Sequence, residues 1–449
     1  MRFYNREKEI GRLREIREQS VENAQFTVVT GRRRIGKTQL LLKAVDGSPS
    51  LLKSVESSPF LYFFVSRKAE PLLCVDFQEE ISNKLGVPLL GEVREFSKIF
   101  QFLMQLSAER SFTLIIDEFQ EFLRINPAVF SDMQHFWDIH KEKSKINLFV
   151  CGSIYSLMHK IFKDYNAPLF GRATQFMHVK PFKISALNEI LAENYPAFTH
   201  EDLLALYAFT GGVAKYVQLL IDNKAFTLNK MIHFIAREDS QFILDGKQML
   251  IEEFGKDYTI YFTILSAIAR GENTRGQIEN MIGSEIGGYL TRLEHEYGLI
   301  TKNIPLFAKS ETKNVRYALE DNYLTFWFRF VYKYSHVIEI AQFEMLKQII
   351  ERDYATFSGK ILERFFREKM IEQGCFTQIG AFWDKTGQNE IDLIALNEVE
   401  KTALIAEIKR NEKHIRYNAL KEKAACMMAK TGRLSEYEIE YKGFSLIDM

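Results

Sequence analysis

The chain reads as a multidomain α/β protein: a parallel sheet with helices on both faces, followed by smaller domains. Three observations predict this. Its 449 residues, at roughly 150 per domain, imply about three domains, each able to bury its own core. Five short apolar runs, at 26–30, 60–65, 113–117, 146–151 and 174–179, alternate with helical stretches, the pattern of parallel strands covered on both sides. The first run passes through a glycine-bounded loop directly into a helix-forming stretch at 39–44.

Composition narrows the class. Hydrophobic residues make up 46% and charged residues 26%, ordinary globular usage that excludes a disordered, collagen-like or disulfide-scaffold chain. Lys plus Arg and Asp plus Glu stand at 59 each, so no global basic field exists and any nucleic-acid contact must be local. Cys74, Cys151, Cys375 and Cys426 lie far apart with no paired spacing, which suggests buried thiols rather than a zinc cluster or disulfide framework. Residues 1–10 are charged from the second position and no run approaches the roughly 20 apolar residues of a bilayer span, so a cytoplasmic protein with no membrane partner is expected.

The loop after the first run is Gly31-Arg32-Arg33-Arg34-Ile35-Gly36-Lys37-Thr38, which fits G-x-x-x-x-G-K-[ST], the P-loop or Walker A pattern. Its glycines let backbone N–H groups turn inward on phosphate oxygens, and the helix N-terminus that follows adds partial positive charge. Lys37 is expected to reach the β and γ phosphates of ATP, and Thr38 to hold Mg²⁺. The acidic counterpart stands at the end of the third strand, where Asp117 would complete the Mg²⁺ shell and Glu118 would act as general base on the attacking water. The fourth strand ends at Gly152-Ser153, which puts a small hydroxyl where a γ-phosphate sensor belongs. Arg172 precedes the fifth strand, placed either to neutralise transition-state charge or to make a surface ion pair at the sheet edge.

Phe3-Tyr4-Asn5-Arg6-Glu7, the P-loop, Asp117-Glu118-Phe119-Gln120, Gly152-Ser153 and Phe170-Gly171-Arg172 together resemble the archaeal and bacterial ATPase family in the STAND branch of AAA+ proteins, over roughly residues 1–245. The resemblance implies that Asn5 and Arg6 lie near the adenine and phosphates, that Ser153 is the sensor, that Arg172 faces a nucleotide, and that a helical lid follows the sheet. Leu187, Ile190 and Leu191, then Leu203, Leu204, Leu206 and Tyr207, have the spacing such a lid needs. The family's Gly-Gly-x-Pro is Gly211-Gly212-Val213-Ala214 here, which frees one backbone N–H.

Residues 256–320 read as three helices, at 258–269, 277–282 and 285–297, then a hairpin of 300–304 and 316–319, the outline of a winged helix. They carry eight Lys or Arg against eight Asp or Glu, and the third helix sets Arg292 against Glu285, Glu294 and Glu296. DNA reading and a role as spacer or protein-partner module both remain open. The aromatic stretch 323–330 is expected in the core.

Glu-x-Lys occurs at Glu311, Glu407 and Glu440, and context separates them. Glu407-Ile408-Lys409 closes an apolar strand at 403–406, and the preceding strand at 391–396 carries Asp392 near its start. Adjacent antiparallel strands can set Asp392 beside Glu407, where like charges favour a divalent cation, with Lys409 on the same face as Glu407. Glu363, on an upstream amphipathic helix, could join them. Helix with Glu, strand with Asp, strand with Glu-x-Lys: over roughly 356–449 this resembles the PD-(D/E)XK nuclease fold, a restriction-endonuclease-like α/β domain. That resemblance implies Asp392 and Glu407 as ligands of Mg²⁺ or Mn²⁺, Lys409 as catalytic lysine and Glu363 as accessory acid.

The expected division is a P-loop ATPase domain at 1–182, helical lid at 183–245, winged helix at 246–320, connecting helices at 321–355 and nuclease-like domain at 356–449. Two functions compete: an Mg²⁺-dependent ATPase controlling a DNA nuclease, and a non-cleaving ATP-driven switch that binds DNA, a protein partner or a second copy of itself.

Overall fold

A computed structural model describes residues 4–46, 59–87, 91–309 and 311–449; Phe3 of the opening motif lies outside them. The chain forms two compact units, Phe3–Lys180 and Pro181–Met449.

The first unit is built on five parallel strands in the order β2-β3-β4-β1-β5, with β1 at Gln25–Thr30, β2 at Phe60–Phe64, β3 at Phe112–Asp117, β4 at Ile146–Cys151 and β5 at Gln175–His178. Every residue of β3 and β4 is buried, because helices cover both faces, whereas the edge strand β5 leaves Phe176 half exposed. One face packs aromatic rings: Phe26 lies edge-on to Trp137 at 5.1 Å, and Phe63 stacks on Phe77 at 4.2 Å. With all strands parallel, the loop after β1 and the acids ending β3 open at the same edge, where α/β sheets bind ligands.

The second unit begins with helices Ile184–Asn194, His200–Thr210, Ala214–Asp222, Leu228–Ile235 and Gln241–Phe254. Three more follow, Tyr258–Arg270, Arg275–Ile282 and Gly287–His295, and then an antiparallel pair, β6 (Ile300–Asn303) and β7 (Arg316–Leu319). The third of these starts at Gly287 instead of 285: Gly287-Gly288 weakens helix initiation, and the Ile286 N–H goes to the Glu279 carboxylate at 3.1 Å. The aromatic stretch is core, as expected. Tyr323 and Trp327 are buried and donate to the carbonyls of Phe242 and Ile243 at 3.1 and 2.9 Å.

A 31-residue helix, Phe343–Gln373, leads into a four-stranded sheet ordered β11-β10-β9-β8, from β8 (Gln378–Trp383), β9 (Glu390–Asn397), β10 (Thr402–Ile408) and β11 (Glu438–Phe444). β8, β9 and β10 pair antiparallel; β11 runs parallel to β10 after the crossover helix Tyr417–Thr431. Charged pairs tie these parts together. The Glu372 carboxylate takes the Ile184 and Ser185 N–H groups at 2.7 and 3.2 Å, capping a helix start, and Arg410 meets Glu201 at 2.6 Å. Arg316 of β7 grips Glu390 of β9 through both guanidinium nitrogens at 2.7 and 3.2 Å. Among the described residues no helix is long and apolar enough to cross a membrane.

Candidate functional site

The loop between β1 and helix Lys37–Val45 has the backbone its glycines allow. Gly31 sits at φ 149, where an added Cβ would lie 2.6 Å from the Val179 carbonyl oxygen, and Gly36 is the left-handed N-cap of the helix at φ 93. Lys37 is only 6% exposed and its ammonium donates to the carbonyls of Gly31 and Arg32 at 2.8 and 3.0 Å, so a cation is held inside the loop. Burial lowers its pKa from the ordinary lysine value, against the opposing pull of Cys151, Glu118 and Asp117.

Asp117 is the meeting point. Its Oδ2 accepts from the Thr38 hydroxyl at 2.7 Å and from the Tyr62 hydroxyl at 2.8 Å; its Oδ1 accepts from the Cys151 thiol and the Glu118 N–H, both at 2.9 Å. Burial and the neighbouring Asp117 raise the pKa of both Tyr62 and Cys151, which keeps them protonated as donors. Glu118 stands in the left-handed region at φ 55, and its Oε2 accepts from Ser153 Oγ at 2.7 Å and from the Gln120 amide. The expected base and the expected sensor thus share a hydrogen bond. Sequence reasoning missed Tyr62 and the parts played by Gln120 and Cys151. The signal was strand register: Ile116 pairs with Val150, which brings Cys151 alongside Asp117, and Phe64 pairs with Asp117, with Tyr62 on the same face.

The other residues expected near the nucleotide make different contacts. Arg6 is buried and donates to the Lys180 carbonyl at 2.7 Å while pairing with Glu9 at 2.9 Å, and Asn5 beside it is left-handed at φ 48. Arg172 pairs with Asp138 at 3.2 Å and donates to the Phe170 carbonyl at 2.9 Å.

This donor set fits ATP with Mg²⁺. A buried ammonium and a glycine-shaped loop suit phosphate oxygens, and Thr38 and Asp117 converge two hard oxygens at 2.7 Å. Among the described residues no group of three or more His, Cys, Asp or Glu could hold a metal.

In the second unit three of the four C-terminal residues come together, and Glu363 lies within electrostatic range of Asp392 and Lys409. The Lys409 ammonium lies 3.0 Å from Asp392 Oδ2 and 3.7 Å from Glu407 Oε1; Asp392 also accepts the Ile408 N–H at 2.8 Å, and Glu407 accepts the Arg416 N–H at 2.7 Å. Burial opposes the lysine's charge, but Asp392 and Glu407 outweigh it and hold its pKa above the ordinary value. Burial, then the charges of Asp392 and Glu390, push the Glu363 carboxyl up to about 7. Two carboxylates on adjacent strands suit a hard divalent cation; here Lys409, with Lys423 at 3.9 Å from Glu407, supplies the positive charge between them.

Residues 3–220 match an ATPase domain found predominantly in archaea. The uncharacterized protein MJECL04 of Methanocaldococcus jannaschii is 31% identical over 419 residues, 91% of this chain and 87% of that protein. The chain belongs to this archaeal ATPase family. The Walker-type ATPase of Pyrococcus abyssi has a similar fold, at 19% identity and a TM-score of 0.53 over 73% of this family member and 96% of the Pyrococcus chain. The ORC2 protein of Aeropyrum pernix follows at 15% identity and a TM-score of 0.49, over 75% and 95% of the two chains. Residues 327–424 of this archaeal ATPase match a second family, described as archaeal and bacterial proteins of unknown function, and that match spans Glu363, Asp392, Glu407 and Lys409.

Proposed function

We propose that this ATPase is an Mg²⁺-dependent, cytoplasmic nucleotide switch of the STAND type whose state controls a metal-dependent nuclease of the PD-(D/E)XK class acting on DNA. The ATPase half rests on the domain family and on the Lys37–Thr38–Asp117–Glu118–Ser153 constellation. In this reading Lys37 and the loop N–H groups bind the phosphates. Glu118 takes the proton of a water whose oxygen attacks the γ-phosphorus as the bond to ADP breaks, and Ser153 orients that carboxylate. Mg²⁺, when bound by Thr38 and Asp117, neutralises charge on the phosphate oxygens. Asn5, Arg6 and Arg172 are assigned to nucleotide sensing, residues 183–245 to a lid and 246–320 to a winged helix that contacts DNA.

One observation carries the nuclease half: Asp392, Glu407 and Lys409 converge across two paired strands, beside Glu363. Asp392 and Glu407 would hold Mg²⁺ or Mn²⁺, which supplies Lewis acidity, while Lys409 stabilises charge developing on the attacked phosphate. A second reading is favoured by a specific feature of the same cluster. Lys409 already pairs with both carboxylates, as in a nuclease-like domain kept for binding, so that ATP drives a non-cleaving switch.

Incubating the full chain with supercoiled and linear DNA, in Mg²⁺ or Mn²⁺ and with or without ATP, separates the two. Cleavage lost in Lys409→Ala and altered in Lys37→Ala is expected. ATP hydrolysis without cleavage in any condition would overturn the nuclease half and leave the switch.

A further inference from the structure

The second unit contains a cleft of about 690 Å³ that neither reading uses, walled by Lys224, Lys230, His233, Arg237, Lys347 and Glu351. Helical periodicity makes its basic wall. On helix Leu228–Ile235 the residues Met231, Ile232, Phe234 and Ile235 are buried, so Lys230 and His233, one turn apart, face outward, and Arg237 continues that face just past the helix end. Arg237 is held in place: its guanidinium stacks 3.9 Å over the Phe234 ring. Lys224 projects from a left-handed position, φ 55, after helix Ala214–Asp222. Lys347 and Glu351 come from the first turns of helix Phe343–Gln373, with Lys347 3.2 Å from Glu344.

Four Lys or Arg side chains therefore share one concave wall with one carboxylate, in a chain whose net charge is zero. Among the described residues Lys224, Lys230 and Arg237 form no ion pair. Convergent, unneutralised cations repel one another and are stabilised by a polyanion. Phe234 is buried beneath Arg237 and Ala225 is buried as well, so the exposed groups that can meet a ligand are charged and polar side chains. What suits the cleft is a run of phosphates on a polymer backbone, bound without regard to sequence.

We propose that this cleft binds backbone phosphates of a nucleic acid; the inference rests on the nucleic-acid part of the reading above and not on cleavage. The probe is a 20-base-pair labelled duplex of arbitrary sequence, its binding to the full chain followed by fluorescence anisotropy in EDTA between 50 and 200 mM salt. Lys224→Gln with Lys230→Gln, both exposed, should weaken binding uniformly across sequences and reduce the salt slope by about 2, close to 0.9 per phosphate contact. Unchanged circular dichroism establishes that the variant is folded. Affinity and slope unchanged in the folded double variant would overturn the proposal. So would displacement of the duplex by poly-glutamate as effective as by unlabelled duplex, which would mark an acidic-protein site, or displacement by free ADP that is retained in Lys37→Ala. If wild type binds but never cleaves, the nuclease reading falls and the cleft stands; if it cleaves while the cleft variants bind normally, the reverse holds.

Discussion

Asp117 accepts four hydrogen bonds, from Thr38, Tyr62, Cys151 and the Glu118 backbone, so its orientation is set before any nucleotide arrives. Tyr62→Phe removes one of these and should cost about 1–2 kcal/mol in urea unfolding, since a bond to a charged acceptor is worth more than a neutral one. Lys37→Ala should abolish ATP binding measured by calorimetry. Glu118→Gln should bind ATP at near wild-type affinity yet hydrolyse it about 10² to 10⁴-fold more slowly, the usual cost of losing a general base. Hydrolysis at the wild-type rate in Glu118→Gln would move the base elsewhere. Glu363 offers a pH test with a definite sign. Its carboxyl titrates at about 7 in the folded chain against an ordinary 4.5, so the folded state binds the proton more tightly. Its contribution to stability is therefore full below about 4.5, declines as pH rises between 4.5 and 7, and is gone above. Glu363→Gln should remove that decline, read as a difference between wild-type and variant unfolding at pH 5 and pH 8.

Among the elements, the departure at Ala214 is informative. Ala214 opens helix Ala214–Asp222 after Val213 at φ −68 and ψ 118, the extended conformation that precedes proline, and a first-turn N–H has no partner within its helix. The proline of the family pattern would fit this backbone, so Ala214→Pro should raise stability by about 0.4–1 kcal/mol by restricting the unfolded chain. A lower melting temperature would mean that the freed N–H is used. The strands and the P-loop were legible because each is announced locally, by an apolar run or a glycine-bounded motif. Asp392 and Glu407 were legible too, since two consecutive strands pair antiparallel by default. Tyr62 and Cys151 were not, because their contact with Asp117 depends on the register of strands from distant parts of the chain. The pairing of Arg410 with Glu201, and of Glu372 with the start of helix Ile184–Asn194, was likewise invisible: nothing local to either partner predicts the other.

At the scale of the whole molecule, the two compact units give coupling a thermodynamic meaning. The P-loop, Asp117, Glu118 and Ser153 all belong to Phe3–Lys180, while Glu363, Asp392, Glu407 and Lys409 belong to Pro181–Met449. A ligand that binds only the native first unit stabilises it by RT ln(1 + [L]/Kd), about 2.7 kcal/mol at a hundredfold excess over Kd, whether or not the second unit responds. Chains of several units also need not unfold in one step. Scanning calorimetry of the full chain should therefore resolve two transitions, and ATP with Mg²⁺ should raise the one assigned to the first unit. Lys37→Ala identifies that transition by cancelling the shift. The proposed control of the C-terminal cluster adds a stronger demand: the second transition must move as well, because a conformational equilibrium responds only to a ligand that favours one of its states. Glu201→Ala, which breaks the pair with Arg410 next to Lys409, should leave the first shift intact and reduce the second. A second transition indifferent to ATP in the wild-type chain would show that the nucleotide site and the acid–lysine cluster work independently.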